Sequence, residues 1–376
     1  MIKNEIRPLT GIRGLAAIWV VLFHFKNDLL SLLPSLSLFN PLIDQGAYGV
    51  DIFFVLSGFV ISSVYNIENH NLTLVKYKRF LTNRIARIYP NYIFCFVLLF
   101  ILIFGDRFLG NHINGVKHVT NSLDYPISGI IWHLSMLQAW PFIPAKWDNW
   151  NTPAWSVSAE WFAYLIIFPF SVWVASKYYF RKHSILLIIL VLFLFVMIGN
   201  QSFVKTHNLY FIMQVSAEYL SGCLVYLYFI QNKIIVMKFS SYLDFVVILF
   251  IGLIWFSQSI PCNHYLILFA VPVIIAFLTQ ENSFFSKLLS TRLFGYLGRI
   301  SYALYLVHAI AQRMLHVVVP TGKFTSSPAL LKIVVTMGYL IFPCLIAAGI
   351  YHLVEEPSRL AIRRFFNPRS KVGVPG

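Results

Sequence analysis

Arg13 and His24 lie eleven residues apart in the otherwise apolar run LTGIRGLAAIWVVLFHF. On an α-helix that spacing returns to within about 20° of the same face with a rise of roughly 16 Å, so a guanidinium and an imidazole would stand at two depths of one membrane helix. Hydrocarbon solvates neither group, and an ionisable residue there is a functional candidate by default. Two carboxylates and a second imidazole have comparable settings: Asp51 in YGVDIFFVLSGF, Glu160 in TPAWSVSAEWF and His308 in RISYALYLVHA. Imidazole and carboxylate together are the parts of general acid–base catalysis, such as removing the proton of an attacking hydroxyl. Glu218, in QVSAEYLSGCL, is a further candidate nearer the middle of its span. Each side chain alone also suits helix association or interfacial capping; a shared depth is what points to a site.

The elements that must hold these groups are membrane helices. Hydrophobic residues make up 58% of the 376 and charged residues only 11%, too little charge for a soluble domain of this length. Apolar stretches of crossing length, about 17 to 25 residues, fall near 11–30, 47–65, 88–105, 155–176, 184–199, 209–230, 243–258, 265–280, 294–317 and 329–353. The sequence thus predicts an all-α polytopic bundle of about ten transmembrane helices. It reads as a single integral-membrane domain over 1–376, with no fused extracytoplasmic domain. The stretch 127–140 is apolar but short and interrupted by His133 and Gln138, and reads as re-entrant or interfacial.

Lys and Arg collect on one side of this topology: Lys3 and Arg7, Lys76 to Arg87, Lys177 to Lys182, Lys233 and Lys238, Lys287 and Arg292, and the tail from Arg359. By the positive-inside rule that side is cytoplasmic and holds both termini. The same sorting accounts for the net charge of +15 without invoking nucleic acid. Helical rise from each end then places His24, Asp51, Glu160 and His308 in one outer layer. Arg13, Arg84 and Arg87 of NRIARIYP, and Arg299 gather on the cytoplasmic side, where guanidinium forks suit phosphate oxygens. Ordinary positive-inside topology, or anionic lipid, is the competing account of those arginines.

Cys95, Cys223, Cys262 and Cys344 have neither disulfide nor metal-ligand spacing, and no metal site is expected. Trp132, Trp140, Trp147, Trp150, Trp155 and Trp161 crowd the segment before and into the fourth span. Most read as an interfacial belt, with a platform for sugar rings as the alternative.

In order, RPLTGIRGLAAIWVVLFHF, YGVDIFFVLSGFVIS, RIARIYP, TPAWSVSAEWF, ISYALYLVHA and VEEPSR resemble the membrane-bound acyltransferase family 3 over nearly the whole chain. The resemblance implies an O-acyltransferase of the bacterial inner membrane that moves an acyl group, usually acetyl, from cytoplasmic acyl-coenzyme A to a hydroxyl of an extracytoplasmic glycan or glycoconjugate. It implies that His24 is the essential histidine of the first helix and that Arg13 is the basic residue preceding it. Arg84 and Arg87 match the paired-arginine loop, Glu160 the acidic position after WS, and His308 the late SY-x-LY-x-x-H element. Catalysis then falls to His24, Asp51, Glu160 and His308, and donor binding to Arg13, Arg84, Arg87 and Arg299. His24 acts as general base or as acyl carrier. The competing class is a transporter or flippase of a lipid-linked saccharide that uses the buried histidines and carboxylates as a proton relay.

Overall fold

A computed structural model of the chain describes residues 6–67, 72–108, 129–143, 150–177, 207–256, 263–280 and 283–366. Among the described residues every element is helical. The long ones are α1 (Arg7–Leu32), α2 (Tyr48–Tyr65), α3 (Leu74–Phe108), α4 (Ala154–Phe162), α5 (Phe168–Lys177), α6 (His207–Gln231), α7 (Leu243–Trp255), α8 (Asn263–Leu278), α9 (Arg292–Val318), α10 (Ala329–Ile350) and α11 (Glu356–Phe366). One π-helical turn, Ala163–Ile167, joins α4 to α5, and another, Tyr351–Glu355, joins α10 to α11.

Seven helical segments among the described residues are long and apolar enough to cross a membrane, against about ten expected. Three of the expected spans are not among these seven. The expected span 184–199 lies outside the described residues. Helix α8 has only 16 residues, and α6 is long enough at 25 residues but carries Asn208, Gln214, Ser216, Glu218 and Ser221. Helix α3 departs from expectation in the other direction. It starts at Leu74 rather than near 88, so Lys76, Lys78, Arg79, Arg84 and Arg87 ride on one continuous 35-residue helix. Of the 127–140 stretch, the described residues 129–140 hold the short helix Ile130–Leu134 and turns, with His133 and Gln138 both buried.

Two parallel helix pairs form the centre of the bundle, and glycine permits both. Where α1 crosses α9, a Cβ on Gly298 would stand 1.9 Å from the Thr10 carbonyl oxygen, and one on Gly14 would stand 2.7 Å from the Gly298 nitrogen. Where α2 crosses α6, a Cβ on Gly58 would meet the Tyr219 carbonyl at 1.9 Å and one on Gly222 the Val55 carbonyl at 2.0 Å. Lipid offers no hydrophobic drive for association, so close backbone approach through small residues is the source of attraction. Helix α2 runs antiparallel to α1, with Gly46 against Trp19 and Gly49 against Ala16.

Candidate active site

The α1–α9 crossing dictates where the two histidines meet. Ten residues beyond Gly14 is His24, and ten beyond Gly298 is His308; in parallel helices both rise about 15 Å from the contact. Their rings lie 4.8 Å apart, centroid to centroid, at 42°. His308 is fully buried, and its Nδ1 stands 2.7 Å from the Tyr305 carbonyl oxygen. A carbonyl only accepts, so Nδ1 carries the proton and Nε2 keeps its lone pair. That Nε2 is buried and finds no hydrogen-bond partner among the described residues. One turn further along, Gln312 donates to the His24 carbonyl at 3.0 Å and to Asp28 Oδ2 at 2.7 Å, while His316 Nε2 meets Asp28 Oδ1 at 2.7 Å. The backbone that carries His24 is thereby tied to α9.

His24 itself opens on a cavity of about 330 Å³ whose wall includes Tyr48, Asp51, Trp155, Phe211 and Gln214. That volume lies at the lower end of the range for small-molecule sites. Asp51 is buried and accepts a 2.7 Å hydrogen bond from Gln214 Nε2. Glu218, one helical turn beyond Gln214, is buried within electrostatic reach of Asp51. Trp155 stacks on Phe211 with centroids 4.2 Å apart, which gives the cavity an aromatic wall. Trp150 serves a different purpose: it is fully buried against Phe96 and Phe100.

A second, narrower cavity of about 110 Å³ opens nearer the N-terminal end of α1 and is lined by Arg13, Arg84, Arg87, Ser57, Glu160 and Tyr164 among others. Tyr164 donates to Glu160 Oε1, and Ser57 Oγ donates to the same oxygen at 3.0 Å. The Arg84 guanidinium lies over the rings of Phe80 and Tyr164, 5.8 Å and 5.9 Å from their centroids. Its Nε is buried without a hydrogen-bond partner among the described residues. Glu355 completes this end: it is buried, accepts from Asn91 Nδ2 at 3.0 Å, and faces Arg87 and Arg13. The two π-turns are placed here, one carrying Tyr164 and the other Glu355. Such wide turns recur at functional sites because they redirect side chains that a regular helix would not aim together.

The two cavities share Val50 and Tyr305 as common wall. Tyr305 is pinned there, its hydroxyl donating to the Pro153 carbonyl at 3.0 Å and accepting from Ser156 Oγ at 2.8 Å.

Of the eight residues singled out from sequence, the structure gathers His24, His308 and Asp51 at one end and Arg13, Arg84 and Arg87 at the other. Glu160 was expected in the layer of His24 but lines the arginine cavity. It lies six residues inside α4, roughly 9 Å of rise, and its partner Ser57 lies six residues past Asp51 on α2. Arg299 was expected with the other arginines but is exposed, over the Tyr296 ring at 5.5 Å, outside that cavity's lining. Ser57, Tyr164, Tyr305, Asp28 and Glu355 were not singled out. Tyr164 stands four residues after Glu160 and Asp28 four after His24, one helical turn in each case, which is the signal that would have found them. Among the described residues no three His, Cys, Asp or Glu side chains group as metal ligands.

Comparison with known proteins shows the family of the chain. No solved structure matches the chain. YrhL of Bacillus subtilis, named as a peptidoglycan O-acetyltransferase, is 26% identical over 97% of this chain and 56% of its own length. OatA of Staphylococcus aureus, named as an O-acetyltransferase, is 26% identical over 80% of this chain and 49% of its own length. The chain therefore spans about half the length of the curated relatives it matches. The profile of the family described as "Acyltransferase domain" matches residues 7–352, nearly the whole sequence. The chain belongs to this acyltransferase family.

Proposed function

We propose that this protein is a multi-pass O-acyltransferase of the bacterial inner membrane. It takes an acyl group, most economically acetyl, from acyl-coenzyme A on the cytoplasmic side and delivers it to a hydroxyl of an extracytoplasmic glycan. The observation that carries this reading is the pair of cavities, one with three arginines and the other with His24 and an aromatic wall, which share Val50 and Tyr305 in their linings. Guanidinium forks suit the phosphates of the donor. The thioester arm then reaches past Tyr305 over the roughly 16 Å of rise between Arg13 and His24. The names of the relatives favour a cell-wall or other surface glycan as acceptor, and Trp155 with Phe211 offers a stacking face for its sugar ring.

At the reaction centre His24 takes the proton of the attacking hydroxyl. The new C–O bond forms as the C–S bond breaks, and the departing thiolate recovers that proton. An imidazole that accepts a proton in one half and returns it in the other serves the whole transfer. His308 holds the second imidazole against His24, and Asp51 orients the acceptor or the histidine from the opposite wall. Glu160 belongs to the donor side, where it fixes Tyr164 and, through that ring, Arg84. A route in which His24 carries the acyl group itself uses the same residues.

Purified full-length protein in lipid nanodiscs, given acetyl-coenzyme A and a cell-wall glycan fragment, should release free thiol. His24→Ala should lower that rate by about 10²- to 10⁴-fold, the usual contribution of a positioned base. Undiminished thiol release by His24→Ala would remove His24 from the reaction. Movement of a lipid-linked sugar across sealed vesicles without thiol release would favour the transporter instead.

A further inference from the structure

The C-terminal helix α11 carries two arginines outside the cavity lining, Arg359 at the end of the VEEPSR motif and Arg363 one turn beyond it. Arg359 and Arg363 stand four residues apart and so project from one face of a helix that packs on α3. Both are partly buried, and the Nε of each, like that of Arg84, is buried with no hydrogen-bond partner among the described residues. Arg363 lies within electrostatic reach of Arg359, Arg84 and Arg87. Surface arginines kept only for topology point into water, where every N–H is hydrated and neighbouring like charges are screened. Here like-charged guanidinium groups lie within electrostatic reach of one another with their Nε donors out of solvent.

Three carboxylates at this end, Glu160, Glu355 and Glu356, stand against five arginines, with Glu160 in electrostatic reach of Arg84 and Glu355 of Arg359. Glu160 is taken up by Tyr164 and Ser57. Glu355 receives Asn91 and faces Arg13 and Arg87. Glu356 meets Arg359 at 3.6 Å, longer than a well-formed ion pair. Arg363, in electrostatic reach of Arg84 and Arg87, has no carboxylate among the described residues that act on it. A multivalent oxyanion would remove the mutual repulsion and fill the vacant donors in one step, with the forked geometry that phosphate accepts.

We propose that Arg359 and Arg363 of α11, together with Arg84, form a phosphomonoester subsite at the mouth of the arginine cavity, and that its occupant is the ribose 3′-phosphate of the coenzyme A donor. The inference rests on the donor reading above. Position favours this phosphate over the diphosphate. Arg363 lies eight residues past Glu355, about 12 Å further along the helix by rise, and outside the lining of the cavity that takes the thioester arm; the 3′-phosphate is the donor group remote from that arm. The acidic headgroup of a lipid offers the same chemistry, and the experiment separates the two sources.

The test is equilibrium binding of coenzyme A and of 3′-dephospho-coenzyme A to the full chain in nanodiscs, either of phosphatidylcholine alone or with phosphatidylglycerol. The wild type should bind coenzyme A at least about tenfold more tightly than the dephospho form, since charge-assisted hydrogen bonds of this kind are worth that factor or more. Arg359→Ala and Arg363→Ala should each erode that preference while leaving affinity for the dephospho form unchanged, which also certifies that the variants are folded. Arg363→Lys should retain part of it. An unaltered preference in both alanine variants overturns the subsite and leaves the donor reading intact. So does an effect of Arg363→Ala confined to the phosphatidylglycerol nanodiscs, which would assign the cluster to lipid. Failure of the wild type to bind either form of coenzyme A would overturn the donor reading and the subsite with it.

Discussion

Tyr164 joins two interactions in one residue: its hydroxyl donates to Glu160, and its ring lies beneath the Arg84 guanidinium. These are separable by substitution. Tyr164→Phe removes the hydroxyl and keeps the ring, so Ser57 remains as a donor to Glu160; coenzyme A should bind about tenfold more weakly, the worth of one hydrogen bond to a charged group. Tyr164→Ala also forfeits the cation–π contact and should bind more weakly again, by a further factor of a few. Equal affinities in the two variants would mean that the ring contributes nothing to holding Arg84. The residue scale is also where sequence reading reached least far. The grouping of Arg13, Arg84 and Arg87 was legible because all three lie near span ends on one side of the topology, and His24 stood out because an imidazole is rare in an apolar span. The depth of Glu160 was not legible, since counting residues from an apolar edge carries an error of several residues, and a few residues of rise separate one cavity from the other.

At the scale of elements, the spans that were legible are those whose apolar windows coincide with whole helices. The expected 47–65 and 294–317 correspond to Tyr48–Tyr65 and Arg292–Val318. Helix α3 escaped because its first fourteen residues carry five cations, and hydropathy reports where a helix is buried in lipid rather than where it begins. Neither π-turn has a sequence signature, although both place a functional candidate. The glycines, by contrast, divide sharply by position. Gly298 and Gly295 occupy the same helix, yet a Cβ on Gly298 strikes the Thr10 carbonyl at 1.9 Å while one on Gly295 meets nothing within 4 Å. Gly298→Val should therefore destabilise the protein by about 1–3 kcal/mol or more through forced separation of α1 and α9. Gly295→Ala should be neutral or stabilising by up to about 1 kcal/mol, because it raises helix propensity at an open site. Thermal unfolding of the two variants in detergent checks both. Comparable losses would show that the α1–α9 crossing tolerates side chains.

For the molecule as a whole, the parallel and antiparallel relations among helices fix which side chains share an end, and the positive-inside rule converts that into sides of a membrane. Lys323, in the turn Thr321–Lys323 after α9, and Lys238, in the segment before α7, are both exposed at opposite ends of this scheme. In a background without native cysteines, Lys323→Cys should react with an impermeant thiol reagent added outside intact cells, and Lys238→Cys only after permeabilisation. The reverse pattern would invert the proposed topology and put the arginine cavity on the wrong side for coenzyme A. The division into two cavities was not visible in the sequence at all, because it arises from Val50 and Tyr305, two residues on different helices that no local pattern connects.

The equal counts from Gly14 to His24 and from Gly298 to His308 have a consequence for how such a sequence tolerates change. Each added residue turns everything beyond it by 100° and advances it by 1.5 Å. A single insertion between positions 14 and 24 would leave an apolar helix of acceptable length and an intact glycine crossing, yet swing His24 away from His308 and from the cavity it opens on. The matching insertion between 298 and 308 would turn His308 as well, but Asp51, held on α2 by a different crossing, would stay behind. These two ten-residue stretches are thus coupled in length as well as in composition. Substitutions within them are judged by volume and polarity, whereas a lone insertion or deletion there would preserve the bundle and dismantle the chemistry.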